Sequence, residues 1–142
     1  MATIEGGCAC GAVRFEITEP LMGSGVCHCR ACQYAAGGPP TYVVLAPKLG
    51  FKVTKGTPKV FTTKGDSGGD VGRAFCGECG TPLYSIPGMM APFMPVKVGA
   101  LDDPSGYQPQ IHLYTEAAQP WHLMHEGLPQ FPKMPPMPPP GA

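Results

Sequence analysis

The sequence, 142 residues long, is short of charge, of large aliphatic side chains and of long apolar runs. Only 14% of its residues are charged, ten Lys and Arg against ten Asp and Glu, where an average soluble domain carries roughly 25%. So sparse and balanced a set offers no basic face for counterion release. That excludes an electrostatic nucleic-acid binder and argues against a charge-steered membrane-surface protein. No apolar stretch approaches the ~20 residues of a spanning helix; Tyr42-Val43-Val44-Leu45-Ala46 is strand-sized. The start, Met1-Ala2-Thr3-Ile4-Glu5, lacks the basic and apolar regions of a secretory signal, so the expected location is the cytoplasm. Leu, Ile, Val and Phe make up 27 residues, 19% of the chain, and Gly with Pro another 39. Taken alone that composition reads as disorder, but disorder also calls for high net charge. Seven cysteines offer another way to hold a thin core together.

Proline is plentiful and unevenly placed. Seven of the fourteen residues from Pro129 to Ala142 are proline, which denies that stretch both helix and central strand. The expected organisation is one domain over 1–128 and a proline-rich tail over 129–142, extended or disordered.

The rest reads as short strands. Val13, Phe15 and Ile17 alternate with Arg14 and Glu16, the period of a half-buried strand. Similar segments follow at 42–46, 51–54, 59–63, 71–75, 82–86, 96–98 and 111–115, separated by Gly/Pro punctuation such as Gly37-Gly38-Pro39-Pro40 and Asp66-Ser67-Gly68-Gly69-Asp70. One helical turn or two is expected over Arg30–Ala36, stopped by Gly37-Gly38. The fold class is therefore all-β, mainly antiparallel, with one short helical piece.

The cysteines form three groups: Cys8-Ala9-Cys10-Gly11, Cys27-His28-Cys29-Arg30-Ala31-Cys32 and Cys76-Gly77-Glu78-Cys79-Gly80. Reduced cysteines this dense in a cytosolic chain point to metal before disulfides. Two thiolates one or two residues apart can bite a single tetrahedral ion. The first and last groups share a glycine after the second cysteine, which permits positive φ and turns amides toward sulfur. That feature pairs Cys8, Cys10, Cys76 and Cys79 into a closed site and leaves Cys27, Cys29 and Cys32 with an open position. A second partition stays open, in which Cys29 and Cys32 join Cys76 and Cys79 as a zinc ribbon and Cys8, Cys10 and Cys27 stand by. His28, between two cysteines, is expected to point away from their metal.

These motifs resemble those of the glutathione-dependent formaldehyde-activating enzyme family, which includes the centromere protein V domain. The resemblance rests on Cys8-x-Cys10-Gly11, Cys27-His28-Cys29-x-x-Cys32 and Phe75-Cys76-x-x-Cys79-Gly80-Thr81-Pro82-Leu83. It continues through Val98-Gly99-Ala100-Leu101-Asp102-Asp103-Pro104, Gln110-Ile111-His112, Gln119-Pro120-Trp121-His122 and Leu128-Pro129, so that it runs from about residue 5 to 131. The resemblance implies a structural zinc on Cys8, Cys10, Cys76 and Cys79 and a catalytic zinc on Cys27, Cys29 and Cys32. It also implies condensation of formaldehyde with glutathione to S-hydroxymethylglutathione, a carbon–sulfur lyase reaction in reverse. The departure is Gln33-Tyr34-Ala35-Ala36-Gly37-Gly38, where many members have a basic residue. The implied partners are a small thiol such as glutathione and a small electrophile, with neither nucleic acid nor membrane. The alternative is a binding module whose zinc is purely structural.

Zinc suits thiol chemistry, since a thiol in the open position is deprotonated by the ion. Three anionic ligands weaken its Lewis acidity and favour delivery of thiolate over activation of a carbonyl. Elsewhere, Trp121 is expected in the core with His122 at the surface, or else in a substrate-pocket wall. His112 is expected to be structural, and Asp102-Asp103-Pro104 a capped turn.

Overall fold

The computed structural model describes residues 3–65, 68–88 and 91–135. The expected turn residues Asp66-Ser67 and tail residues 136–142 lie outside them. In chain order the elements are β1 (Ile4–Gly7), β2 (Arg14–Ile17), β3 (Gly23–Cys27), α1 (Arg30–Ala36), β4 (Thr41–Pro47), β5 (Phe51–Lys55), β6 (Lys59–Lys64), β7 (Asp70–Phe75), β8 (Pro82–Ile86), β9 (Phe93–Lys97) and β10 (Ile111–Leu113). The mainly β class and the single α-helix among the described residues agree with the sequence pattern.

The described residues divide into two compact units, one within 1–22 and 44–107, the other within 23–43 and 108–142. In the first, β2 lies between β1 and β5, antiparallel to both, and β6, β7, β8 and β9 follow one another in a second antiparallel array. The alternation in β2 buries Phe15 and Ile17 while Arg14 and Glu16 stay partly exposed. Phe15 meets the Phe51 ring at 5.4 Å between centroids, and Phe51 meets Tyr84 at 4.7 Å. Val44, Leu83 and Val96 are buried in the same core.

Two strands were not legible in the pattern. β1 reads Ile4-Glu5-Gly6-Gly7, and a Cβ on Gly6 would lie 2.3 Å from the Ala100 carbonyl oxygen and 2.6 Å from the Phe15 ring. Glycine is there because another backbone comes too close for any side chain. β3, Gly23-Ser24-Gly25-Val26-Cys27, has the same glycine-rich look, and a Cβ on Gly25 would meet Leu113 at 3.2 Å. β9 starts at Phe93, ahead of the segment expected at 96–98, because a strand containing Pro95 is read as broken.

In the second unit β3 pairs in parallel with β10, so that Cys27 lies opposite Leu113. Helix α1 follows two residues later, capped at its start by Cys29 and at its end by Gly37 at φ +78°. The first residues of the expected tail are hydrogen-bonded here. His112 N–H donates to the Pro129 carbonyl at 2.9 Å, Phe131 N–H to that of His112 at 2.9 Å, and Thr115 N–H to that of Phe131 at 3.0 Å. Met134 packs on the cluster of Cys27, Cys32 and Leu113.

Candidate metal centres

The first unit gathers Cys8, Cys10, Cys76 and Cys79, whose sulfurs all lie within 4.8 Å of one another. Cys8 Sγ is 3.6 Å from Cys10 Sγ, which is 3.7 Å from Cys76 Sγ. A tetrahedron with metal–sulfur bonds of ~2.3 Å has sulfur–sulfur edges of ~3.8 Å, so these spacings fit zinc.

Local backbone chemistry builds this site. Gly11 at φ +81° and Gly80 at φ +80° close the two turns, their N–H groups donating to the Cys8 and Cys76 carbonyls at 3.1 and 2.9 Å. Amides then converge on sulfur: Val13 N–H donates to Cys8 Sγ at 3.2 Å, and Glu78 and Cys79 N–H donate to Cys76 Sγ at 3.3 and 3.4 Å. Thr81 joins the two turns, its Oγ1 accepting from Ala9 N–H at 3.1 Å and lying 3.1 Å from Cys79 Sγ. Hydrogen bonds from the Thr81 hydroxyl and backbone lower the Cys79 thiol to about 6. The amide of Ala12 pulls Cys10 down, but its sulfur neighbours Cys8 and Cys79 outweigh it and the thiol is pushed up to about 12.

The second unit gathers Cys27, Cys29 and Cys32, again with sulfurs within 4.8 Å of one another. Cys27 and Cys32 are buried and Cys29 is half-buried. Cys27 ends β3, Cys29 caps α1, and Cys32 sits in the helix's first turn, its N–H donating to Cys29 Sγ at 3.3 Å. Sulfur contacts with Cys29 and Cys32, followed by burial, push the Cys27 thiol up. The donor set therefore suits a soft cation such as zinc. Among the described residues no fourth Cys, His, Asp or Glu joins it. Cys29 and Cys32 cluster with Cys27, not with Cys76 and Cys79 as a zinc ribbon would need.

All four histidines of the chain belong to this second unit, and sequence reasoning missed their connection. His28 and His112 are completely buried and His122 is 8% exposed. His28 Nδ1 is 2.9 Å from His122 Nδ1, and His28 Nε2 is 2.9 Å from His112 Nδ1. Burial, then the His112 and His122 rings, lower His28 to about 4, and burial followed by the His125 charge also lowers His112. Spacing carries no sign of this, because the partners of His28 lie 84 and 94 residues away. Trp121 and His122 are the reverse of the core-and-surface expectation, with Trp121 61% exposed. The reason is polar: His122 Nε2 has a carbonyl to reach, Gly38 O at 3.1 Å, so the imidazole goes inward and the indole stays out. Asp103 caps its turn as expected, accepting from Ser105 N–H at 3.1 Å and from its hydroxyl at 2.6 Å. Asp102 instead forms a two-pronged ion pair with Arg14, 2.8 Å from its Nη1.

Among the described residues no helix is long and apolar enough to cross a membrane. The family model described as glutathione-dependent formaldehyde-activating enzyme matches residues 3–117. A Halomonas elongata protein named "Putative glutathione-dependent formaldehyde-activating enzyme" is 28% identical over 127 residues, covering 83% of this chain and 78% of that protein. A crystal structure of a Rhodobacter sphaeroides protein superposes with a TM-score of 0.54 at 20% identity, over 74% of this chain and 91% of that one. That likeness is one of fold.

Proposed function

The chain belongs to the glutathione-dependent formaldehyde-activating enzyme family, and from that premise we propose that it is a zinc-dependent enzyme of the carbon–sulfur lyase type. It would add a small thiol, glutathione or a close analogue, to a small aldehyde, or run the reverse. The thiol sulfur bonds to the carbonyl carbon, the C=O π pair moves to oxygen, and the proton lost by the thiol ends on that oxygen.

The observation that carries this reading is the three-cysteine cluster itself, three sulfurs with no fourth protein ligand among the described residues. Cys27, Cys29 and Cys32 would hold a catalytic zinc, and Cys8, Cys10, Cys76 and Cys79 a structural one. When bound at the three-cysteine site, zinc supplies the charge that keeps an incoming thiol ionised near neutral pH. Partial exposure of Cys29 leaves that cluster reachable, while Cys27 and Cys32 anchor it from the buried side. Both ring nitrogens of His28 and of His112 are engaged with protein groups, so neither is a free general base. Trp121 and the 79% exposed Tyr34 are candidates for walls around the thiol's remaining atoms. Seven cysteines outside any disulfide and thiol chemistry both suit a reducing, cytoplasmic setting.

The exposure of Tyr34, Trp121 and Leu123 favours a second reading, a binding module whose zinc is only structural. Exchange NMR of zinc-loaded protein with glutathione and a panel of small aldehydes separates the two. The enzyme reading expects the hemithioacetal to form and break faster than in buffer with at least one pair. No acceleration with any pair, in protein carrying two zincs, would leave the binding module.

A further inference from the structure

Every polar atom of His28 is engaged, and the direction of each bond can be worked out from groups whose polarity cannot change. His28 N–H donates to the Leu113 carbonyl at 2.9 Å, and its own carbonyl accepts from Gln33 Nε2 at 2.8 Å. His125 N–H, always a donor, lies 3.0 Å from His112 Nε2, which must therefore be the bare nitrogen. The proton of neutral His112 is then on Nδ1, where it donates to His28 Nε2. His28 accordingly carries its proton on Nδ1 and donates to His122 Nδ1. The far end gives the same answer independently. Gln119 N–H points at His122 Nδ1 from 3.3 Å, and the Gly38 carbonyl, always an acceptor, takes the proton on His122 Nε2. Backbone groups at both ends impose one direction on three imidazoles. A proton added to His28 would set two N–H groups facing each other.

We propose that His112 and His122 are positioning residues which, through a one-way chain of neutral imidazoles, lock His28 and so pre-set the Cys27–Cys29 turn to receive its metal. The chain begins at a backbone amide and ends at a backbone carbonyl, neither of which exchanges protons with a substrate, so it holds geometry and conducts nothing. His28 is the residue between two sulfur ligands, and fixing its backbone and ring fixes the spacing of Cys27 and Cys29 before any ion binds. Outer groups of this kind typically tune metal affinity 10–100-fold. The proposal rests on the reading that the three cysteines hold zinc.

Two measurements on the zinc-loaded full chain test it. Long-range 15N–1H correlation spectra should show His28 and His112 protonated at Nδ1 and His122 at Nε2. A His28 protonated at Nε2, or at both nitrogens near neutral pH, overturns the chain. Zinc release to a chromophoric chelator should be about 10–100-fold easier from the three-cysteine site in His122→Phe, with the four-cysteine site unmoved. His122→Asn, whose Oδ1 falls where Nδ1 was, should stay within about threefold of wild type. A wild type that carries one zinc removes the reading beneath the proposal. One that carries two zincs, with His122→Phe releasing like wild type, removes the proposal alone. If His122→Phe loses its circular dichroism, His122→Asn decides, and easy zinc release from it overturns the proposal.

Discussion

The two cysteine clusters use the same local device, paired sulfurs on tight turns met by backbone amides, and differ in what surrounds them. In the first unit the two turns are contributed by segments about seventy residues apart, and Cys8 and Cys76 belong to the same core as Phe15, Ile17 and Leu83. In the second unit one stretch of six residues supplies all three sulfurs, and the buried apolar cluster among the described residues is small, Cys27, Cys32 and Leu113 with Ile111, Tyr114 and Met134 packed against them. There the support is polar, a row of buried imidazoles and a buried Gln33. A cluster that joins distant chain segments through a hydrophobic core is placed to hold the fold. One that closes within a single turn on polar supports can give up or share a ligand without unravelling it.

The largest expected effect follows from this difference. Cys79→Ala should prevent accumulation of soluble, folded protein, since it forfeits part of a metal-binding free energy on the order of 10 kcal/mol. A soluble variant with unchanged circular dichroism would erase the distinction between the clusters. Next in size is the core that the first cluster belongs to. Phe15, 1% exposed, should cost about 3–5 kcal/mol as Phe15→Ala in denaturant unfolding.

Acid should strike the second unit selectively. A histidine whose folded pKa is lowered leaves the unfolded chain binding more protons, so its contribution is intact above the unfolded value of 6.5 and is lost as pH falls toward the folded one. For His28 that window runs from 6.5 to about 4, a loss of up to about 3 kcal/mol. Amide exchange across 23–43 and 108–135 should quicken over that range before exchange in β2, β7 and β8 does. Simultaneous loss would mean that the imidazole chain does not set the second unit's stability. The smallest effect concerns the tail. Ending the chain at Leu128 removes the bonds made by Pro129 and Phe131 and the packing of Met134, a loss on the order of 2 kcal/mol that a thermal melt would resolve.

Much of this was legible in the residues. Alternation located β2, Gly37-Gly38 located the end of α1, and the glycines at 11 and 80 marked the turns of the four-cysteine cluster because positive φ has few other occupants. β1 and β3 escaped because glycine was selected there by close approach from Phe15, Ala100 and Leu113, which no local pattern records. The histidine chain escaped for a related reason. Its members are spread over residues 28 to 122, and each looks ordinary until the fold brings it to the next.

Zinc content of Cys29→Ser, measured by native mass spectrometry beside wild type and together with circular dichroism and thiol–aldehyde exchange, tests the difference between the clusters most directly. A serine hydroxyl is seldom ionised near neutral pH, and the three-sulfur site has no fourth protein ligand among the described residues to compensate. The account predicts two zincs in wild type and one in the variant, with the fold kept and the exchange activity gone. A variant that keeps both zincs, or that unfolds as Cys79→Ala is expected to, would contradict it.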